Sequence, residues 1–210
     1  MTLLMYTALR ATSKTILNYL QQRLQADPFL ATLFNPGGGG TMDVYLKTPK
    51  EMTDVQAEGL SIWLYRVIRD EERLNDPPER ISNTELKQPP LPMRLHYLIT
   101  PVVINMSKTI PNGETEQVIL GKVLQAFYDH PLLSGIDLRD DLSGTSTALR
   151  IRLESLTLDE TSRLYDALEG PFQLSVSYEV SVVYISSEIE AESISPVQVV
   201  MPEYGVIVSP

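Results

Sequence analysis

The chain has 210 residues, 43% of them hydrophobic, which is enough for one domain with a sizeable core. Its formal net charge of -10 repels phosphate backbones and argues against nucleic-acid binding. The absence of cysteine excludes disulfides, thiolate metal sites and cysteine nucleophiles, and no apolar run approaches membrane-spanning length.

Residues 3–26 predict the first helix. Leu9, Ile16, Leu17, Leu20 and Leu24 recur at helical spacing, with Lys14, Gln21, Gln22 and Arg23 between them, and Asp27-Pro28 closes the run. The opening MTLLMYTALRATSK has no basic stretch ahead of its apolar part and no small-residue cleavage site, so no signal peptide is expected. NPGGGG, 35–40, predicts a flexible loop. It is not a phosphate loop, because no Lys-Ser or Lys-Thr follows and the next segment, TMDVYLKTP, predicts a strand. GLSIWLYRVIRD, 59–70, predicts a strand that is apolar on both faces. Leu60, Ile62 and Leu64 lie on one side and Trp63, Tyr65 and Val67 on the other, so the strand is central or covered twice. Residues 71–90, charged and broken by prolines, predict a long surface loop. The strand at 93–104 follows a stiff entry of Pro89, Pro90 and Pro92. Pro101 inside it lacks an amide donor, which predicts an edge or a bulge.

After the turn IPNGE, residues 114–130 predict a helix with an apolar stripe of Leu120, Val123, Leu124 and Phe127, ended by His130-Pro131. SGIDLRDDLSGTST is a loop. LRIRLESLT alternates Leu149, Ile151 and Leu153 against Arg150, Arg152 and Glu154, the pattern of a half-buried strand. Thr157, with Glu160 three residues on, forms a capping box, and the helix runs to Glu169 before Gly170-Pro171. FQLSVSYEVSVVYI, 172–185, places Phe172, Leu174, Val176, Tyr178, Val180, Val182 and Tyr184 on one face. Gln173, Ser175, Ser177, Glu179 and Ser181 take the other, so one face meets a core and the other meets water or a partner. An acidic spacer, Glu188, Glu190 and Glu192, leads to β-prone runs at 197–200 and 206–208.

These elements predict an α+β fold: a mixed, mostly antiparallel sheet of about five strands with helices packed on one face. The domain spans 1–186, and 187–210 form an extended C-terminal arm.

No catalytic constellation is found. His96 and His130 are the two histidines, and neither has a second histidine at the spacing of a zinc-binding helix. His96 is expected as a packed or hydrogen-bonded strand residue, and His130 as part of a helix stop. Asp137, Asp140 and Asp141 match no calcium loop and predict a solvated acidic loop. No serine lies in a nucleophile elbow. No catalytic, cofactor-binding or metal-ligating residue is assigned. Tyr65, Tyr97, Tyr128, Tyr165, Tyr178 and Tyr184 all fall in predicted elements, where a tyrosine suits a core edge or an interface. Two classes stay open: a structural subunit of an assembly, and an α+β small-ligand or peptide-binding module. The tail has no core of its own yet is too β-prone for a solvated linker, which favours the first.

Four stretches carry a family resemblance: LSIWLYRVIRDEERLNDPPER, PPLPMRLHYLITPV, ILGKVLQAFYDHPLLSG and LRIRLESLTLDETSRLYDALEGPFQLSVSYEVSVVYI. In order and spacing, over residues 10–186, they resemble the cap or tail-terminator proteins of phage-tail-like contractile injection systems of the antifeeding-prophage type. The resemblance implies a structural protein that forms a hexameric ring on the last inner-tube layer. It would touch inner-tube and sheath proteins, stop polymerisation and hold the distal sheath ring. It implies no catalysis, no cofactor, no nucleic acid and no membrane insertion. It places assembly in the bacterial cytoplasm and the protein at the distal end of a particle either released or cell-bound. In such a particle, Val197, Val199, Val200, Val206, Ile207 and Val208 of the tail are expected to add to the last sheath ring by strand pairing.

Overall fold

The first helix, α1 (Ala8–Gln25), buries Ala8, Ala11, Thr12, Thr15, Ile16, Tyr19, Leu20 and Leu24. The small residues of its first turns let the helix lie close on a sheet. Thr12 and Thr15 donate their hydroxyls to the carbonyls of Ala8 and Ala11, each at 2.8 Å, so neither hydroxyl is buried unpaired. Leu9 and Leu17 pack beside this stripe, half-buried. The structure, a computed structural model, describes residues 6–73, 77–82, 84–104 and 112–193.

The remaining elements follow in order: α2 (Ala31–Phe34), β1 (Asp43–Tyr45), α3 (Pro49–Asp54), β2 (Gly59–Arg69), β3 (Glu79–Ser82), β4 (Glu85–Lys87), β5 (Leu91–Val102), α4 (Asn112–Asp129), β6 (Leu132–Ser134), β7 (Ala148–Glu154), α5 (Leu158–Ala167), β8 (Val176–Ile185) and β9 (Glu192–Ser193). Six strands form the main sheet in the order β1-β2-β5-β8-β7-β6, and three form a small one in the order β3-β4-β9. Only the β1–β2 pair is parallel; the other described pairs are antiparallel. The fold is therefore α+β with a mixed, mostly antiparallel sheet, as the sequence predicts.

The main core lies between the sheet and the two long helices. Leu60 and Ile62 of β2, Leu95, Tyr97 and Ile99 of β5, and Val180 of β8 are all essentially inaccessible. Each fully buried aliphatic side chain there is worth about 1.5–3 kcal/mol of transfer free energy. The Tyr19 and Phe127 rings stack at 5.7 Å, and Phe127 meets Tyr178 edge-on at 4.8 Å, joining α1, α4 and β8. The short helices α3 and α5 add a second, smaller layer. Thr100, which points away from Ile99, lies 3.1 Å from the Tyr165 hydroxyl of α5. Both short helices begin with a capping box, Thr48 with Glu51 and Thr157 with Glu160. The second was predicted from sequence; the first, in TPKE, carries the same signal.

Pro101 finds its place without breaking the sheet. β5 pairs with β2 as far as Val102, but its pairing with β8 ends at Ile99 opposite Val176. Past Ile99 the strand has one neighbour, which is where a residue without an N–H is tolerated. Pro92 mirrors it, standing ahead of the β2 ladder that begins at Met93. Two bulges do occur among the described residues of the main sheet, at Tyr65 in β2 and between Val180 and Val183 in β8.

Several expectations need correction. Residues 71–90 are not all loop: they hold the β3–β4 hairpin, stabilised by β9 from more than a hundred residues away. The last strand of the main domain begins at Val176, not 172, and Phe172 and Leu174 are about half exposed. Extending the register would set Leu174 opposite Pro101, which has no N–H to give. Tyr178 and Val180 are buried as expected, but Val176 is only half-buried and the bulge then brings Val183 inward, three residues after Val180. The opposite face is not simply wet, since Ser177 and Glu179 are buried there. β2 is covered on both faces only in its first half; Val67 is exposed. Leu153, in β7, is half exposed. NPGGGG is a shaped turn rather than a loose loop: a Cβ at Gly40 would lie 2.3 Å from the Leu33 carbonyl oxygen.

Candidate functional site

The residues singled out from sequence fall in different places. The arm residues Val197, Val199, Val200, Val206, Ile207 and Val208 lie outside the described residues. The chain approaches them from β9, which pairs Glu192 and Ser193 with Leu86 and Glu85. His130 ends α4 as expected, donating its backbone N–H to Ala126 at 3.1 Å. The acidic loop is not free in solvent, contrary to its sequence reading. Asp140 bonds Arg10 at 2.9 Å and Lys14 at 3.1 Å, and Asp141 lies 3.5 Å from Arg10. The hydrogen bond from Lys14 is the main reason that the Asp140 carboxyl sits below the usual carboxylate range. The Arg139 N–H donates to Thr15 at 3.0 Å, latching the loop to α1.

The tyrosines divide by environment. Tyr97 is fully buried and shares a proton with Ser13 at 2.8 Å. Burial pushes its phenol well above the ordinary range, and pushes Tyr178 up to about 12. Tyr184 accepts from Arg73 at 2.7 Å, and Tyr128 is almost wholly exposed.

On the sheet face away from α1, the strands bring together a polar cluster that sequence reasoning missed. His96 Nδ1 lies 2.9 Å from Glu154 Oε1. Ser177 donates to Glu154 Oε2 at 2.7 Å, and the Tyr65 hydroxyl lies 2.9 Å from Ser177. Desolvation raises the Tyr65 phenol, partly offset by the bond to Ser177. Beside them, Arg94 donates to the buried Asp70 at 2.7 Å, chiefly for which its own pKa is raised. His96 is thus a hydrogen-bonded strand residue, as expected.

A second feature lies at the other side of β7. Leu124, Phe127, Tyr128, Pro131, Ile151 and Leu153 are among the residues lining an open groove of about 620 Å³. Its lining is mostly apolar, with Gln125 and Arg152 as its polar side chains beside the two tyrosines. Strand β6 pairs with β7 only over Ala148–Arg150, and the Ile151 N–H donates to Pro131. Among the described residues, no strand pairs with the outer edge of β7 from Arg152 to Glu154. Exposed apolar side chains beside open strand edge are features of a contact surface. No helix among the described residues is long and apolar enough to cross a membrane.

Two of the solved structures that share this fold are a terminator and a cap. One is the cryo-EM structure of an extracellular contractile injection system, the PVC sheath/tube terminator in its extended state. Its TM-score is 0.63 at 17% identity, over 100% of this chain and 66% of that one. The other is the anti-feeding prophage cap, a tube-terminating cap, with a TM-score of 0.56 at 16% identity, over 89% of this chain and 59% of that one. The chain thus spans about two thirds or less of these relatives' length. A comparison with curated proteins finds no match. The model of the Pvc16 N-terminal domain matches residues 11–199, and the chain belongs to that family.

Proposed function

We propose that this protein is the terminator of a contractile injection particle. The family match over residues 11–199 carries the reading, and the fold shared with two tube-terminating proteins supports it. In this reading the chain forms a hexameric ring on the last layer of inner tube, ends tube and sheath growth, and holds the distal sheath ring. Its work is structural, with no catalytic step and no cofactor. Assembly takes place in the bacterial cytoplasm, and the finished particle carries the ring at its distal end. The domain covers residues 1–186, and the arm beyond it, through Val197, Val199, Val200, Val206, Ile207 and Val208, adds strands to the last sheath ring.

Deleting the gene and measuring particles in micrographs tests this reading. Tubes and sheaths of uncontrolled length, or no particles at all, are expected. Particles of normal number and length in the deletion strain would overturn it.

A further inference from the structure

The polar cluster on the outer sheet face has a property that a terminator does not require. His96 stands on β5 with Glu179 directly opposite on β8, and Glu154 lies one step away on β7. One ligand atom from each of the three lies within 4.8 Å of the other two. His96 is 4% exposed and Glu179 7%. A buried carboxylate needs a close cation or several donors. Arg152 donates to Glu179 at 3.4 Å and Arg94 lies 3.8 Å from it, both longer than the about 2.7–2.9 Å of a strong charge-assisted bond. Arg94 is already committed to Asp70 at 2.7 Å, and the Arg152 side chain is 68% exposed.

The ligand types and their support fit a metal ion. Imidazole and carboxylates are the donors that borderline divalent ions take. Glu154 uses one oxygen toward His96, while Ser177 at 2.7 Å and Tyr65 at 3.4 Å hold the other, the outer-layer bonding that orients a ligating carboxylate. Two ligands on a tetrahedral zinc ion stand roughly 3.3 Å apart, given metal–ligand distances of about 2.0–2.1 Å. His96 Nδ1 and Glu154 Oε1, now 2.9 Å apart, need only a small separation to admit one. The other ring nitrogen, Nε2, is buried with no hydrogen-bond partner, so the ring's polar anchor is Glu154.

We propose that His96, Glu154 and Glu179 form a binding site for a divalent ion of the zinc class, spanning β5, β7 and β8. Binding through Nδ1 leaves the His96 ring proton on Nε2, frees the Glu154 oxygen that faced the ring to ligate, and releases Arg152 from Glu179. The ion ties three strands together on the face opposite the main core.

Zinc chloride titrated calorimetrically into the full chain at about pH 7.5 tests the site. The wild type is expected to bind one equivalent. His96→Gln and Glu179→Gln should weaken binding by roughly tenfold or more. His130→Ala, which removes the other histidine of the chain, should bind like the wild type. Arg152→Ala changes an exposed side chain, so the fold is kept, and it should bind several-fold more tightly because a competing cation is gone. Absence of saturable binding by the wild type, equal affinity in folded His96→Gln, or unchanged affinity in Arg152→Ala would each overturn the proposal.

Discussion

Ser13 and Tyr97 meet at 2.8 Å between α1 and β5, with the phenol fully buried. The Ser13 hydroxyl has one proton, and it also bonds the Leu9 carbonyl at 3.0 Å. Tyr97 is therefore the donor to Ser13. This asymmetry makes a prediction. Ser13→Ala strands a buried phenol and should cost about 1–3 kcal/mol, whereas Tyr97→Phe leaves Ser13 bonded to Leu9 and should cost about 1 kcal/mol or less. Urea unfolding of both variants checks the order, and the reverse order would mean that the proton runs the other way.

Val180 is inaccessible at the centre of β8 and faces Leu95 of β5 and Ile151 of β7 in register. Val180→Asp would bury an unpaired charge there, at a cost of several kcal/mol. The variant is predicted to be insoluble or to melt far below the wild type. A soluble variant with an unchanged melting temperature would refute the packing.

Asp27 ties the end of α1 to three partners. Its Oδ1 accepts from the N–H groups of Phe29 and Leu30 at 3.0 and 3.1 Å, and Oδ2 lies 3.1 Å from Lys122 of α4. The bond from Leu30 leads the causes that hold this carboxyl below its ordinary 3.8. A pKa depressed in the folded state means stability that is fully present above the unfolded value and is lost as pH falls through the folded one. The stability gap between the wild type and Asp27→Asn should therefore be constant at neutral pH and shrink below about pH 4. Denaturant midpoints across pH 2–7 measure it. A gap that widens toward acid would contradict the assignment.

The part of the proposed arm beyond β9 can be removed without touching the small sheet, because β9 ends at Ser193. A chain truncated after Ser193 is predicted to fold like the full chain and still to end tubes, while sheaths detach or contract early. Truncation after Ser187 should in addition loosen the β3–β4 hairpin, which loses β9. Particles from the shorter chains that keep stable extended sheaths would remove the arm from the proposal.

Much of the helix layout was legible because its signals are local. The Thr157–Glu160 box spans three residues, and the stripe of Leu120, Val123 and Phe127 repeats within one helix. The long strands were legible for the same reason, from alternation at Leu149 and Ile151. The polar cluster was not. Its members at 65, 96, 154, 177 and 179 come from four strands, and nothing in the neighbourhood of any one of them marks it.

By itself, then, the sequence determined the type of each long element, the α+β plan and the absence of thiol chemistry, because helical and strand periods are set by backbone geometry over a few residues. Only the tertiary structure decided which strands lie beside which. That choice made Pro101 harmless, since β8 stops opposite Ile99. It made Glu179 a buried carboxylate rather than a wet one, since β5 and β7 flank β8 there. It also brought residues 192–193 back to residues 85–86, a pairing that no local pattern can announce, because strand edges recognise main-chain groups and not a particular side-chain sequence.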